Sequence, residues 1–348
     1  MPKFTKAALS TLHYTGADEI LSHFTRGVGA IFMLHHVRPG SIDVVEPCRK
    51  LKLTPDFLEQ VIRQVRNSGF EIVSLDEAHF RLTEGDYSRP FVCFTLDDGY
   101  RDNIEHAYPV FKRHDIPFAV YVPTDYADGR GDLWWLSLEN VILAVNALDV
   151  KIDGAMQRFR CSTTDEKDAA FRAIYWWLRG IDEDDARGFV RELCQSIGLD
   201  TRRQCGELIM TWEEIRQLAA DPRVTIGAHT RRHYALAKLT LAEARAEIAE
   251  SLRRIEKETG IDCRHFSYPF GDEASAGKRE FELVRELNLK TAVTTRAGLI
   301  HRASDTAALP RVALDSSYQR TRYIKVLLSG VPFAFSKLSS AGSRAPVH

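Results

Sequence analysis

The chain has 348 residues, enough for one large domain or two ordinary ones with a sizeable core. Its composition is globular, 44% hydrophobic and 27% charged. The 47 Lys+Arg against 48 Asp+Glu exclude a disordered chain and leave no bulk charge for binding nucleic acid or an anionic membrane. Six scattered cysteines (Cys48, Cys93, Cys161, Cys194, Cys205, Cys263) form no C-x-x-C pair and fit reduced thiols better than a disulfide framework or a zinc ribbon.

The first residues lack the pattern of a secretory leader, and no apolar run reaches the ~18 residues of a membrane span. A cytoplasmic location with no transmembrane segment is therefore expected. After an N-terminal segment expected to be helical (1–27), GVGAIFMLHHV reads as a buried strand leading to a Pro39-Gly40 turn. A helix follows: Thr54 is an N-cap, Pro55 opens the first turn, and Phe57, Leu58, Val61, Ile62 and Val65 form one face before Gly69. FEIVSL (70–75) reads as a strand. The runs PFVCFTL (90–96) and PFAVYV (117–122) are apolar throughout, as strands covered on both faces are. Strands alternating with helices imply an α/β architecture.

Over 128–210 the periodicity is helical, with faces at Leu138/Val141/Ile142/Val145, Phe171/Ile174/Tyr175/Leu178 and Phe189/Val190/Leu193/Ile197. Alternation resumes over 211–315, with strands near 224–227, 265–268 and 290–294. A C-terminal extension (316–348) ends in about ten residues of disordered composition. Within it, YIKVLLSGVPFAF reads as a packed element in preference to a membrane-surface contact.

Three polar clusters follow apolar strands, at the ends where α/β folds place active sites. Asp97-Asp98-Gly99 is either a plain turn or a pair of carboxylates needing a cation. His229 and His233, at i and i+4, share one face of a helical turn, which suits two imidazoles on one metal ion. Ser267-Tyr268-Pro269-Phe270-Gly271 closes a strand with a turn. One carboxylate and two histidines leave coordination positions open, as catalytic zinc sites do.

TLDDG, HTRRH and SYPFG, in this order, resemble the T-F-D-D, H-[ST]-x-x-H and R-x-P-[YF]-G motifs of the polysaccharide deacetylases, the NodB-homology carbohydrate esterases. MLHHV, the stretch LTPDFLEQVIRQVRNSGFEIVSLDE and Leu309-Pro310-Arg311 add to the resemblance, which covers roughly 28–127 and 211–315. It implies a distorted (β/α) barrel interrupted by a helical insertion. It also implies Asp98, His229 and His233 as ligands of a divalent metal (zinc, or cobalt or another ion) and Asp97 as general base. The Phe270 N–H would be an oxyanion donor, with Tyr268 beside it in the same motif. The implied reaction is metal-dependent hydrolysis of N-acetyl groups on an N-acetylhexosamine unit, in an oligosaccharide such as a chitooligosaccharide or in a lipid-linked glycan.

Two departures from the pattern stand out. Ser267 replaces the Arg that orients the base, for which Arg101 and Arg311 are the candidate substitutes. The late L-x-H motif that carries the general acid is matched in letters by Leu299-Ile300-His301, with His35 a second candidate for the site. Trp134, Trp135, Tyr100 and Tyr126 read as core before sugar platforms. A carbohydrate-binding protein with a degenerate site, or a deacylase of an O-acetyl ester or a non-sugar amide, remain the competing readings.

Overall fold

The computed structural model describes residues 5–40 and 46–335. Seven strands, β1 (Gly29–Leu34), β2 (Phe91–Leu96), β3 (Phe118–Val122), β4 (Val224–Ala228), β5 (His265–Ser267), β6 (Thr291–Ala297) and β7 (Leu309–Ala313), pair in chain order. All pairings are parallel, and β1 bonds both β2 and β7, so the sheet closes into a barrel. The short strand Glu71–Ile72 pairs with the start of β2 on its other edge.

Successive side chains on a strand point to opposite faces. Ile31, Cys93, Ala119, Tyr121, Val293 and Leu309 therefore meet in one apolar cluster inside the barrel. Phe32, Phe94, Val120, Ile226, Phe266 and Val312 face the surrounding helices in the main core. Because both faces are covered, each strand is a nearly unbroken apolar run.

The helix Pro55–Asn67 begins where its residues dictate, with Thr54 Oγ1 accepting from the Phe57 N–H. FEIVSL is strand only at 71–72, because Ser74 accepts from the Glu77 N–H and caps a helix, Leu75–Glu84. Between β3 and β4 lie the helices Trp134–Ala144, Thr164–Leu178, Glu183–Ser196 and Thr201–Leu208, which share a second core containing Trp134, Leu138, Ile142, Ile174 and Val190. This segment is not wholly helical. Ala147–Ile152 and Ala155–Arg160 form an antiparallel hairpin. Its turn is Asp153-Gly154, both at positive φ, the conformation a two-residue hairpin needs. That Asp-Gly signal, with Leu148, Val150 and Ile152 alternating, was present in the sequence beneath the helical periodicity.

The apolar run near the C-terminus is packed. In the helix Thr321–Leu328, Tyr323 and Val326 close on Leu9, while Ile324, Leu327 and Leu328 join the main core. The tail assigned as disordered lies outside the described residues. Among the described residues no helix is long and apolar enough to cross a membrane.

Gly227 marks how tightly the barrel is filled. A Cβ there would lie 2.4 Å from the buried Tyr121 ring and 3.0 Å from the His265 carbonyl oxygen. Gly227→Ala is expected to cost about 1–3 kcal/mol by overpacking. Urea unfolding should show a lower midpoint at constant m-value.

Candidate active site

Strand register brings the chemistry together. Leu34 is level with Leu96, Val122 with Ala228, and Ala228 with Phe266. The residues that follow these strands therefore leave the barrel on one rim. They open on a cavity of about 330 Å³ whose walls include His35, Asp97, Asp98, Trp135, His229, His233 and Phe270.

Asp98 Oδ1 lies 3.4 Å from His229 Nε2 and 3.2 Å from His233 Nε2, all three side chains being buried. That oxygen has no hydrogen-bond partner among the described residues. A buried, unpartnered carboxylate oxygen facing two imidazole nitrogens is a donor set suited to a divalent cation, so the residues present fit such a metal. His229 Nδ1 is 2.6 Å from the Ser267 carbonyl. It therefore carries the proton and donates it, leaving Nε2 as the free lone pair. Burial pushes His233 down to about 4 although Asp98 pulls the other way, so its ring is neutral at pH 7.

Asp97 has a different partner. Arg311 on β7, with no exposed surface, donates from Nη1 to Oδ1 at 2.8 Å and from Nη2 to Oδ2 at 2.6 Å. The same guanidinium reaches Thr95 Oγ1, Ser267 Oγ and the Thr294 carbonyl, which fills its donor set. Burial works to raise Asp97, but the guanidinium outweighs it and holds the carboxyl below its ordinary value. Ser267 thus makes room for an arginine that arrives from another strand. Arg311 lies beneath Asp97, inside the barrel, and does not face the cleft as a substrate contact. Arg101 is engaged elsewhere, with Glu214 and the carbonyls of Gly206 and Glu207.

Backbone strain is concentrated here. Asp98, Thr230, His233 and Phe270 all have φ between 59° and 73°. Asp tolerates that region, but Thr, His and Phe occupy it only when their surroundings enforce it. The His229–His233 segment is accordingly a loop and not the expected helical turn. Glu247 accepts the N–H groups of Arg231 and Arg232, and Thr230 Oγ1 accepts that of His233. Two arginines of the insertion complete the clamp. Arg187, buried over the Tyr234 ring, donates to the His233 carbonyl at 3.0 Å and to Glu183 at 2.6 Å. Arg179 stacks on Phe270 at 3.8 Å and bonds Ser275 and Asp272. Neither carried a sequence signal, since Arg187 sits on a helix and Arg179 just past the end of one, with no chemical motif around either.

Other expected residues fall outside the cleft. Tyr268 is buried, donates to the Ala307 carbonyl and packs on Phe266 and Phe281, so it is structural. His301 is at the wrong end of the barrel, because its neighbour Ile300 bridges Gly29 at the start of β1. The catalytic rim is a strand length away, about 16 Å. The L-x-H letters there do not make a general acid. Tyr100, Tyr126 and Trp134 are core, whereas Trp135 reaches the cavity wall. His35 is in the cleft, held at its carbonyl by Asn103 Nδ2.

The fold is thus a closed parallel barrel with an Asp/His/His cluster and an ion-paired Asp at its carboxyl rim. The family model for polysaccharide deacetylases matches residues 163–292, which include the His loop and the Phe270 turn. A Bacillus subtilis protein named "Putative polysaccharide deacetylase YxkH" is 27% identical over 93 residues, 26% of this chain and 30% of that one; the chain thus matches under a third of that relative's length. Among solved structures, the Streptococcus pyogenes deacetylase PplD in complex with acetate superposes with TM-score 0.55 at 16% identity, covering 82% of this chain and 92% of that one. IcaB from Ammonifex degensii gives 0.53 at 18%, covering 87% and 97%. These identities speak to the fold. Part of the chain thus matches the polysaccharide deacetylase family model, and its fold is that of the solved deacetylases.

Arg311→Met leaves Asp97 buried without its counter-charge. With the main opposition to burial gone and only the weaker pull of His229 and His35 left, Asp97 should protonate at higher pH and the acid limb of kcat/KM should move upward. The fold should lose about 3–5 kcal/mol, measured by denaturant unfolding. An unmoved acid limb would show that Arg311 does not set the base.

Proposed function

We propose that the protein is a metal-dependent deacetylase that removes the N-acetyl group from an N-acetylhexosamine unit of an oligosaccharide or glycan precursor. The observation that carries this reading is the division between the two adjacent carboxylates: Asp97 on a guanidinium, Asp98 on two imidazoles. A divalent ion, zinc by preference for this donor set, would be held by Asp98, His229 and His233 and would supply Lewis acidity and a water of lowered pKa. Asp97, kept ionised by Arg311, takes the proton from the attacking water. The Phe270 N–H, bonded to no other group among the described residues, would receive the developing oxyanion, a role supported by the position of Phe270 in the cavity wall. Trp135 and Phe270, with ring centroids 5.0 and 4.8 Å from that of His233, wall an apolar recess beside the ligand set that suits an acetyl methyl group. His35, in the cleft wall, is the group we assign to protonate the leaving amine; the products are acetate and a free amino sugar.

The binding-only reading drew its force from the missing arginine at Ser267 and the unassigned general acid; on the first point, Arg311, bonded to both Ser267 and Asp97, supports the catalytic reading. An O-acetyl ester is attacked by the same apparatus and is the reading to test in parallel. The six buried, unpaired thiols support a reducing, cytoplasmic location.

Asp97→Asn should abolish acetate release from acetylated amino-sugar oligomers while zinc, counted by atomic absorption, stays bound. His229→Ala should lose the zinc and the activity together. Undiminished turnover in Asp97→Asn would sink the assignment of the base.

A further inference from the structure

The helix Thr164–Leu178 of the insertion brings Phe171, Tyr175 and Trp176 to the same cavity as the catalytic rim. Tyr175 is fixed from within, stacked on Trp134 at 5.1 Å and on Phe171 at 5.6 Å. Trp176 stands nearly perpendicular to Tyr175, at 89° and 5.3 Å, and is 62% exposed. The other tryptophans are either buried or tied down: Trp134 and Trp135 in the insertion core, Trp177 to Asp153, Trp212 to Asp128. The ledge is also held rigidly. Arg49, from the segment after β1, makes a two-point ion pair with Asp168 at 3.0 and 2.8 Å, anchoring the helix that carries Trp176 to the opposite wall of the cleft.

The cavity, about 330 Å³, is at the small end of the roughly 300–1,000 Å³ that ligand pockets span. One amino-sugar unit fills it, so any ring joined to that unit must emerge at the lip. A large indole left in water at that lip, on a preorganised support, is a surface that an apolar sugar face would cover.

Resting on the deacetylase reading, we infer that Trp176 forms a subsite for the pyranose next to the one being deacetylated, so that the preferred substrate has at least two glycosidically linked rings. The insertion thereby sets substrate length.

The test is calorimetric binding of N-acetylglucosamine and its β-1,4-linked disaccharide and trisaccharide to zinc-loaded Asp97→Asn protein. Affinity should rise about five- to tenfold from one ring to two. Trp176→Ala should remove that rise, and Trp176→Tyr should keep most of it. KM for acetate release by otherwise wild-type protein provides the second measurement, in case Asp97→Asn folds poorly. No gain from one ring to two, or a gain that survives Trp176→Ala, overturns the subsite. A gain that Trp176→Ala removes, with no acetate released from any of these sugars by wild-type protein, sinks the deacetylase reading and leaves the subsite standing.

Discussion

The structure turns on an ion pair in the mouth of the barrel. Arg311 and Asp97 are both withdrawn from water, where isolated charges are expensive. The cost is offset only because the guanidinium meets the carboxylate edge-on at two points and spends its remaining donors on Thr95, Thr294 and Ser267. This layer sits directly above the apolar plug of Ile31, Cys93, Tyr121 and Val293. The polar rim thus begins one residue pair beyond the hydrophobic interior. With Asp97 so fixed, the positive φ of Asp98 turns the next carboxylate toward the two histidines. Two adjacent acids that would repel one another are thereby given separate positive or metal-seeking partners.

A rim assembled from strained loops needs external support. Left-handed Thr230, His233 and Phe270 each cost energy that local sequence does not repay. The support comes from the helix bearing Glu247 on one side and from the insertion on the other. Arg187 holds the carbonyl of a candidate ligand, and Arg179 lies flat on Phe270. The insertion is therefore part of the cleft's construction. It shares its apolar core with Tyr100 and Tyr126 from the barrel loops, which makes independent movement of the two parts costly.

Much of this was legible in the chain itself. Unbroken apolar runs identified the strands because a closed parallel sheet is dry on both faces. Thr54 announced a helix start because an N-cap is a local hydrogen bond. Where a second local signal competed, the reading missed: the Asp153-Gly154 hairpin lay beneath a helical periodicity. The letters around His301 matched a motif whose meaning depends on which end of a strand it follows, and no pattern of letters encodes that.

By itself, then, the sequence determined the barrel strands and most of the helices, the family resemblance and the chemical types gathered after the strands, all of which depend on neighbours within a few residues. Tertiary structure decided the rest. It chose Arg311 over Arg101 as partner of Asp97, a contact across 214 residues of chain. It made the histidine pair a loop, retired Tyr268 and His301 from the site, and brought Arg179, Arg187 and Trp176 to its edge. These outcomes rest on barrel closure and register, which set strand ends level with one another, and such distances are fixed only when the chain has closed on itself.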